Sequence, residues 1–334
     1  MSTGSSATLK KISEHLNVSI STVSRALKDH PDVSPETKKR VKELALLLDY
    51  EPNAFAVNLR KKHSNLFAVI VPEINSFFYH SFIQAVEEES RKMGYTLMIL
   101  QSMNNPETEE QNLRLCRYNH VAGVLVALTS QTKAMEPFRK LEAQGIPVVF
   151  FDKVPADTLF NKVCIADYEC GKIAAEKMHE GTYQKILAIM GSPHLSITER
   201  REAGLRDYCN SQSKKMQLEI VYADDSKGAQ QHIVDYFSKP GQPRTAVFSM
   251  SDEIMCGVMK GLHEKKLQLP GDAGLLTISN GFFPSLFEPE ISFVRTSGYD
   301  LGKLTFERLK EIMDGKKFVR ENFLSATYHP GGSL

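Results

Sequence analysis

Ser19, Ser21, Thr22, Ser24 and Arg25 crowd four hydroxyls and a guanidinium into the stretch Val18–Leu27. Ser19 suits the N-cap of a helix, where its oxygen accepts from backbone N–H groups of the first turn. Val23, Ala26 and Leu27 then share one buried face. The opposite face carries Ile20, Ser21, Ser24 and Arg25. Arginine reads guanine through two parallel hydrogen bonds, and hydroxyls reach base edges or phosphates, so a short exposed helix of this composition suits the major groove of a DNA duplex. Ile20 favours a thymine methyl over a hydrogen-bonded base.

Leu9–Leu16, which Thr8 is placed to cap, reads as a second amphipathic helix, set off by a break at Asn17–Val18. The pair has the pattern of a helix-turn-helix. Two short helices with a serine between them also occur in any small helical domain, so the surroundings must decide. After a polar turn with Pro31 and Pro35, Ser34 caps a third helix with Pro35 at its first position and Val41, Leu44, Ala45 and Leu48 on one face. Charge separates this head from the remainder. Residues 1–65 carry eleven Lys/Arg against seven Asp/Glu, whereas the rest carries thirty against thirty-three, although the whole chain is only +1. A basic head on a weakly acidic body is the footprint of a DNA-binding module joined to something else.

Between them, Ala54–Leu59 has helical composition but too few turns to hold a helix unaided. It is expected to order on a partner, and the basic cluster Arg60-Lys61-Lys62 suits a partner made of phosphate; a solvated linker helix is the alternative. From Leu66 onward, short apolar runs alternate with helix-length segments: Phe67–Val71, Thr96–Leu100, Gly123–Val126 and Val148–Phe151. A second series starts at Val163–Ile165 and continues through Ile186–Met190, Glu219–Tyr222, Ala246–Phe248 and Leu275–Ile278. Strands this apolar imply right-handed βαβ units and parallel sheets covered on both faces. Two α/β lobes of similar size place a ligand cleft at the carboxyl ends of their strands. The segment from Leu301 adds a helix to about Met313 and one or two strands within 318–327.

The chain of 334 residues, 42% hydrophobic and 24% charged, is long enough for two or three domains of an ordinary globular protein. No run approaches the roughly 18 apolar residues of a membrane span, and residues 1–6 lack the features of a signal peptide, so a cytoplasmic location is expected. The five cysteines are scattered and never spaced C-x-x-C. That argues for reduced, buried thiols rather than disulfides or zinc. Neither a metal nor an organic cofactor is expected.

The run Thr8-Leu9, Ile12-Ser13, Val18-Ser19, Thr22–Leu27, then Val33-Ser34, Thr37, Val41, Tyr50, Pro52-Asn53, Ala56 and Leu59 resembles the lactose-repressor (LacI/GalR) family of bacterial transcription regulators. The likeness continues more loosely through Asp167, Gly171, Arg201–Leu205, Ser251-Asp252, Leu269–Asp272 and Leu301-Gly302. The resemblance implies an α/β protein with a three-helix head, a hinge helix and a two-lobed body like periplasmic binding proteins. It divides the chain into a helix-turn-helix domain over 1–50, a hinge over 51–65, a first lobe over 66–161 completed by C-terminal segments crossing back, a second lobe over 162–290, and a crossover and C-terminal segment over 291–334. It further implies a homodimer on a roughly palindromic operator. Ile20, Ser21 and Arg25 would face base edges, Thr8, Ser19, Thr22 and Ser24 mainly phosphates. Leu59, with Ala56 beside it, would wedge into the minor groove, unstacking bases at a cost of a few kcal/mol.

For the cleft, the resemblance points to Phe77, Phe78 and Tyr79 in the loop after the first strand, and to Asp152, Asp167, Arg201, Asp252 and Ser279. Arg201 looks like a ligand-binding arginine; an ion pair at the helix surface is its plainer reading, and Arg200 suits that role better. Many relatives carry an acidic residue where this chain has Ser279-Asn280. Losing a strong acceptor for sugar hydroxyls weakens the case for a plain sugar effector and keeps phosphorylated sugars or a partner protein in view. Two other classes are weighed against a regulator. A free-standing sugar-binding protein fits the two lobes but not the basic head. An enzyme would need a constellation that the sequence does not offer, since G-x-G-x-x-G, P-loop, H-E-x-x-H and G-x-S-x-G patterns are all missing. The chain also ends without the leucine heptads of an added tetramerisation helix.

Overall fold

The structure, a computed structural model, describes residues 8–50, 64–181, 183–212, 216–316 and 318–334. The chain separates into two compact units, Met1–Ser64 and Asn65–Leu334. In the first, α1 (Leu9–Leu16), α2 (Ile20–Leu27) and α3 (Pro35–Leu47) enclose a small core of Ile12, Val23, Ala26, Val33, Val41 and Ala45. All three helix starts are capped by a hydroxyl: Thr8 accepts from the Lys11 N–H, Ser19 from Thr22 and Ser34 from Thr37. Asn17, in the left-handed region at φ 52°, ends α1 and turns the chain into α2. Asparagine tolerates that conformation because its short polar side chain bonds locally. The hinge residues Ala54–Leu59 lie outside the described residues.

The second unit is two α/β lobes. The first sheet is built from β1 (Leu66–Val71), β2 (Thr96–Gln101), β3 (Gly123–Val126), β4 (Val148–Phe151), β5 (Asn161–Ile165) and β11 (Glu321–Leu324), in the order β11-β5-β4-β3-β1-β2. The second holds β6 (Lys185–Met190), β7 (Gln217–Tyr222), β8 (Thr245–Ser249), β9 (Gly274–Ser279), β10 (Ser292–Arg295) and β12 (Thr327–His329), in the order β12-β10-β9-β8-β6-β7. Every pairing is parallel except β10 with β12. Around the first sheet lie α4 (Phe77–Lys92), α5 (Pro106–Tyr118), α6 (Glu136–Ala143) and α11 (Gly298–Met313). Around the second lie α7 (Asp167–Glu180), α8 (Ser196–Ser211), α9 (Ser226–Ser238) and α10 (Asp252–Glu264). Central strands such as β3, β4, β8 and β9 are buried throughout, which explains why they read as unbroken apolar runs.

Three expectations need correction. Val163–Ile165 does not open the second lobe; β5 pairs with β4 and completes the first sheet. A strand buried on both faces carries no periodicity that says which sheet owns it, so the boundary at 162 fell one strand early. β10, expected in a crossover, likewise belongs to the second sheet. Phe77, Phe78 and Tyr79 are not loop residues but the first turn of α4, whose N-cap Ser76 makes no side-chain bond. The chain passes between the lobes three times, after β5, after β10 and after β11.

One helix crossing positions the site. A Cβ on Gly171 of α7 would stand 2.0 Å from the Arg201 carbonyl oxygen, and one on Gly204 of α8 would stand 2.0 Å from that of Tyr168. The two backbones approach so closely only because both positions lack side chains, and the approach brings Asp167 and Arg201 together. Replacing Gly204 with alanine should therefore destabilise the second unit by at least about 2 kcal/mol, read from urea unfolding, rather than stabilise it as alanine does in an open helix.

Candidate DNA-reading helix and interlobe site

In α2, Ser19 Oγ lies 2.7 Å from Ser21 Oγ and 2.8 Å from Thr22 Oγ1 while it accepts from the Thr22 N–H. Ile20, Ser21 and Arg25 are exposed and Thr22 and Ser24 half-buried, against the buried Val23 and Ala26. Ile20 is 48% exposed, a poor position for an apolar side chain unless a partner covers it. Arg25 meets Asp32 only at 4.0 Å, with both side chains more than half exposed. Such a pair contributes little and leaves the guanidinium available. Thr8 is exposed as well as capping. Ala56 and Leu59 lie outside the described residues.

Between the lobes, the structure gathers most of the expected residues into two connected groups. On the first lobe the Tyr79 hydroxyl donates to Asp152 Oδ2 at 2.7 Å, and Asp152 sits in the left-handed region at φ 56°, a conformation that aims the turn after β4. Burial and the neighbouring Asp152 charge push the Tyr79 phenol well above its ordinary range, so it stays a donor. On the second lobe Arg201 Nε donates to Asp167 Oδ1 at 2.8 Å, its Nη2 lies 2.7 Å from the same oxygen, and its Nη1 donates to the Met250 carbonyl at 2.7 Å. Burial raises the Asp167 carboxyl to about 6 against the opposing pull of Arg201, and the Asp152 charge acts in the same direction as burial. Tyr79, Asp152, Asp167 and Arg201 thus share one electrostatic neighbourhood across both lobes. Arg200 takes the plainer role: it pairs with Glu321 of β11 at 2.6 Å.

Asp252 opens α10, and Ser279 ends β9 beside it. Burial raises the Asp252 carboxyl to about 6, opposed by the Ser279 hydroxyl. Asp252 Oδ1 and, at the end of β8, Ser249 Oγ are buried without a hydrogen-bond partner. Phe77 stacks on Phe282 at 4.7 Å with rings 19° apart and meets Phe283 edge-on at 4.9 Å, so an aromatic contact spans from the first lobe to the second. Phe78 instead turns into the core. Ser249, Phe282 and Phe283 escaped the sequence reading; their one signal was position, just past or at the ends of strands, with no spacing to single them out. Further along the junction, Val154 N–H donates to Ser196 Oγ at 3.2 Å beside a cavity of about 430 Å³.

Residues 67–317 match the periplasmic binding protein domain, and residues 8–53 match the lacI family of bacterial regulatory proteins. The chain is a LacI-family transcriptional regulator. It is a DNA-binding regulator with an effector-binding domain, not an enzyme. The regulator is 25% identical to the HTH-type transcriptional regulator RegA of Clostridium saccharobutylicum over 95% of each chain. Its fold matches the lac repressor dimer bound to operator and the anti-inducer ONPF, with a TM-score of 0.87 at 19% identity, over 98% of this chain and 99% of that one. A LacI-family regulator of Enterococcus faecium with bound ribose matches with a TM-score of 0.72 at 19% identity, over 80% and 98%. Among the described residues no helix is long and apolar enough to cross a membrane.

Arg201→Met leaves Asp167 buried and unpaired and should cost about 3–5 kcal/mol of unfolding free energy, whereas Arg200→Ala should cost less than about 1 kcal/mol. Equal losses in urea titrations would contradict the division of roles between the two arginines. Asp252 gives a pH signature. Its carboxyl is raised in the folded state, so its contribution to stability is fully present below about pH 4 and is lost as pH climbs through 6. Asp252→Asn should therefore gain on the unsubstituted regulator by about 1–3 kcal/mol between pH 4 and pH 7.

Proposed function

We propose that the regulator is a homodimeric repressor of a roughly palindromic operator, and that a polyhydroxylated small molecule, a sugar or sugar derivative, sets its operator affinity from between the lobes. The observation that carries the ligand class is the pair of unpaired oxygens, Asp252 Oδ1 and Ser249 Oγ, at the carboxyl ends of second-lobe strands. A buried acceptor without a donor costs about 1–3 kcal/mol, which a ligand hydroxyl offsets. Phe77 and Phe282 supply the apolar faces that such sites combine with a few polar groups. The ribose bound to the Enterococcus faecium regulator and the operator bound to the lac repressor dimer support the same reading.

Ile20, Ser21 and Arg25 read base edges in this account, Thr8, Ser19, Thr22 and Ser24 hold phosphates, and Leu59 with Ala56 enters the minor groove. The protein acts in the cytoplasm, where its DNA is. Phe77, Tyr79, Asp152, Asp167, Arg201, Asp252 and Ser279 form or brace the effector site. The effector biases two lobe arrangements, and it shifts their balance only by its differential affinity for them.

The decisive experiment is fluorescence anisotropy at low salt on duplexes from the regulator's own upstream region, with and without a panel of sugars. Sequence-specific, salt-dependent binding that one sugar changes is expected, with the change lost in Asp252→Asn; failure to bind any of these duplexes overturns the reading. Arg25→Ala should cost about 1–3 kcal/mol and relax specificity at one base position. Uniform loss on every sequence would assign Arg25 to phosphate.

A further inference from the structure

The cavity of about 430 Å³ beside the Val154–Ser196 contact is walled by the turns after β3 and β4 on the first lobe and by the approach to α8 on the second, and none of the expected effector residues lines it. Its size suits a small molecule or part of one. Its hydrogen-bond donors define what kind. Thr132 Oγ1 donates to Glu109 Oε2 at 2.8 Å, so the Thr129 hydroxyl, 2.7 Å from Thr132 Oγ1, donates in turn, and both threonine protons are committed. Ser130 Oγ accepts from Asn104 Nδ2 and Ser196 Oγ accepts from the Val154 N–H, which leaves both serine protons to give. Lys133 and Lys153 line the same space, and neither has an ion-pair or hydrogen-bond partner for its ammonium among the described residues; Glu253 reaches Lys153 only through its field. The cavity's one lining carboxylate, Asp157, is taken by Arg139 at 2.7 Å and by the Leu159 N–H.

We infer that this cavity is an anion subsite, in which Lys133, Lys153, Ser130 and Ser196 bind a phosphoryl or carboxylate group carried by the regulator's effector. The inference rests on the interlobe site proposed above and sharpens its ligand class: a neutral sugar leaves these donors unanswered, whereas an acidic or phosphorylated sugar places its hydroxyls on the carboxylates and its anion here. Both lobes contribute donors, so the anion also ties one lobe to the other.

The test is calorimetric titration of the full-length regulator with inorganic phosphate, with acetate and with glycerol at constant ionic strength. Saturable phosphate or acetate binding is expected, without response to glycerol, and the stronger of the two anions names the group. The double variant Lys133→Gln/Lys153→Gln, its folding checked by an unchanged unfolding midpoint, should bind about tenfold or more weakly. No anion binding at tens of millimolar, or binding that the double variant leaves intact, overturns the subsite. The sugar-panel anisotropy experiment reports separately: a neutral sugar that changes operator affinity while phosphate and acetate fail removes the subsite and leaves the effector site standing, whereas anion binding that the double variant loses, without any effector response, does the reverse.

Discussion

The Asp167–Arg201 pair governs the effector-binding domain. Both charges are nearly removed from water, a state that stands only because the geometry gives the carboxylate two N–H donors and sends a third to the Met250 carbonyl. Two glycines make that geometry attainable, Gly171 and Gly204, where α7 and α8 touch backbone to backbone. Asp167 is also the first residue of α7, directly after the chain leaves the first sheet. One ion pair thus fixes the start of the second lobe against its own neighbouring helix, and places a raised carboxyl where the field of Asp152 from the first lobe reaches it.

The head was legible almost to the residue because its signals are local. Thr8, Ser19 and Ser34 are hydroxyl caps, Pro35 sits at a helix start, and the buried faces recur at helical spacing. The α/β character of the body was equally plain from its apolar runs. Which strand joins which sheet was not, because β5 looks the same from sequence whether its neighbour is β4 or β6. The start of α4 at Phe77 was missed for the converse reason: Ser76 stands at its N-cap but makes no side-chain bond, and the apolar Phe77-Phe78 after it reads equally well as loop.

The site divides along the same line. Asp152, Asp167, Arg201 and Asp252 were singled out through resemblance, and the charges of Asp152, Asp167 and Arg201 meet in the structure. The distinction between Arg200 and Arg201 needed three dimensions: adjacent residues on one helix point a guanidinium each to β11 and to the core. Phe282 and Phe283 follow Ser279-Asn280, the segment singled out for lacking a carboxylate. The structure puts aromatic surface just beyond, facing Phe77, so a ring contact joins the two lobes there.

The three passages of the chain between the lobes have a kinematic consequence. They leave from β5, β10 and β11, and β12 receives one of them; all four strands lie at or next to one edge of their sheets. Three tethers gathered at one edge resist separation but permit rotation, like a short hinge on a long door. Displacement in such a rotation grows with the lever arm, so it is smallest at β5 and β10 and largest at β2 and β7, which close the opposite ends of the two sheets. A small rotation about the tethers therefore displaces those far edges most.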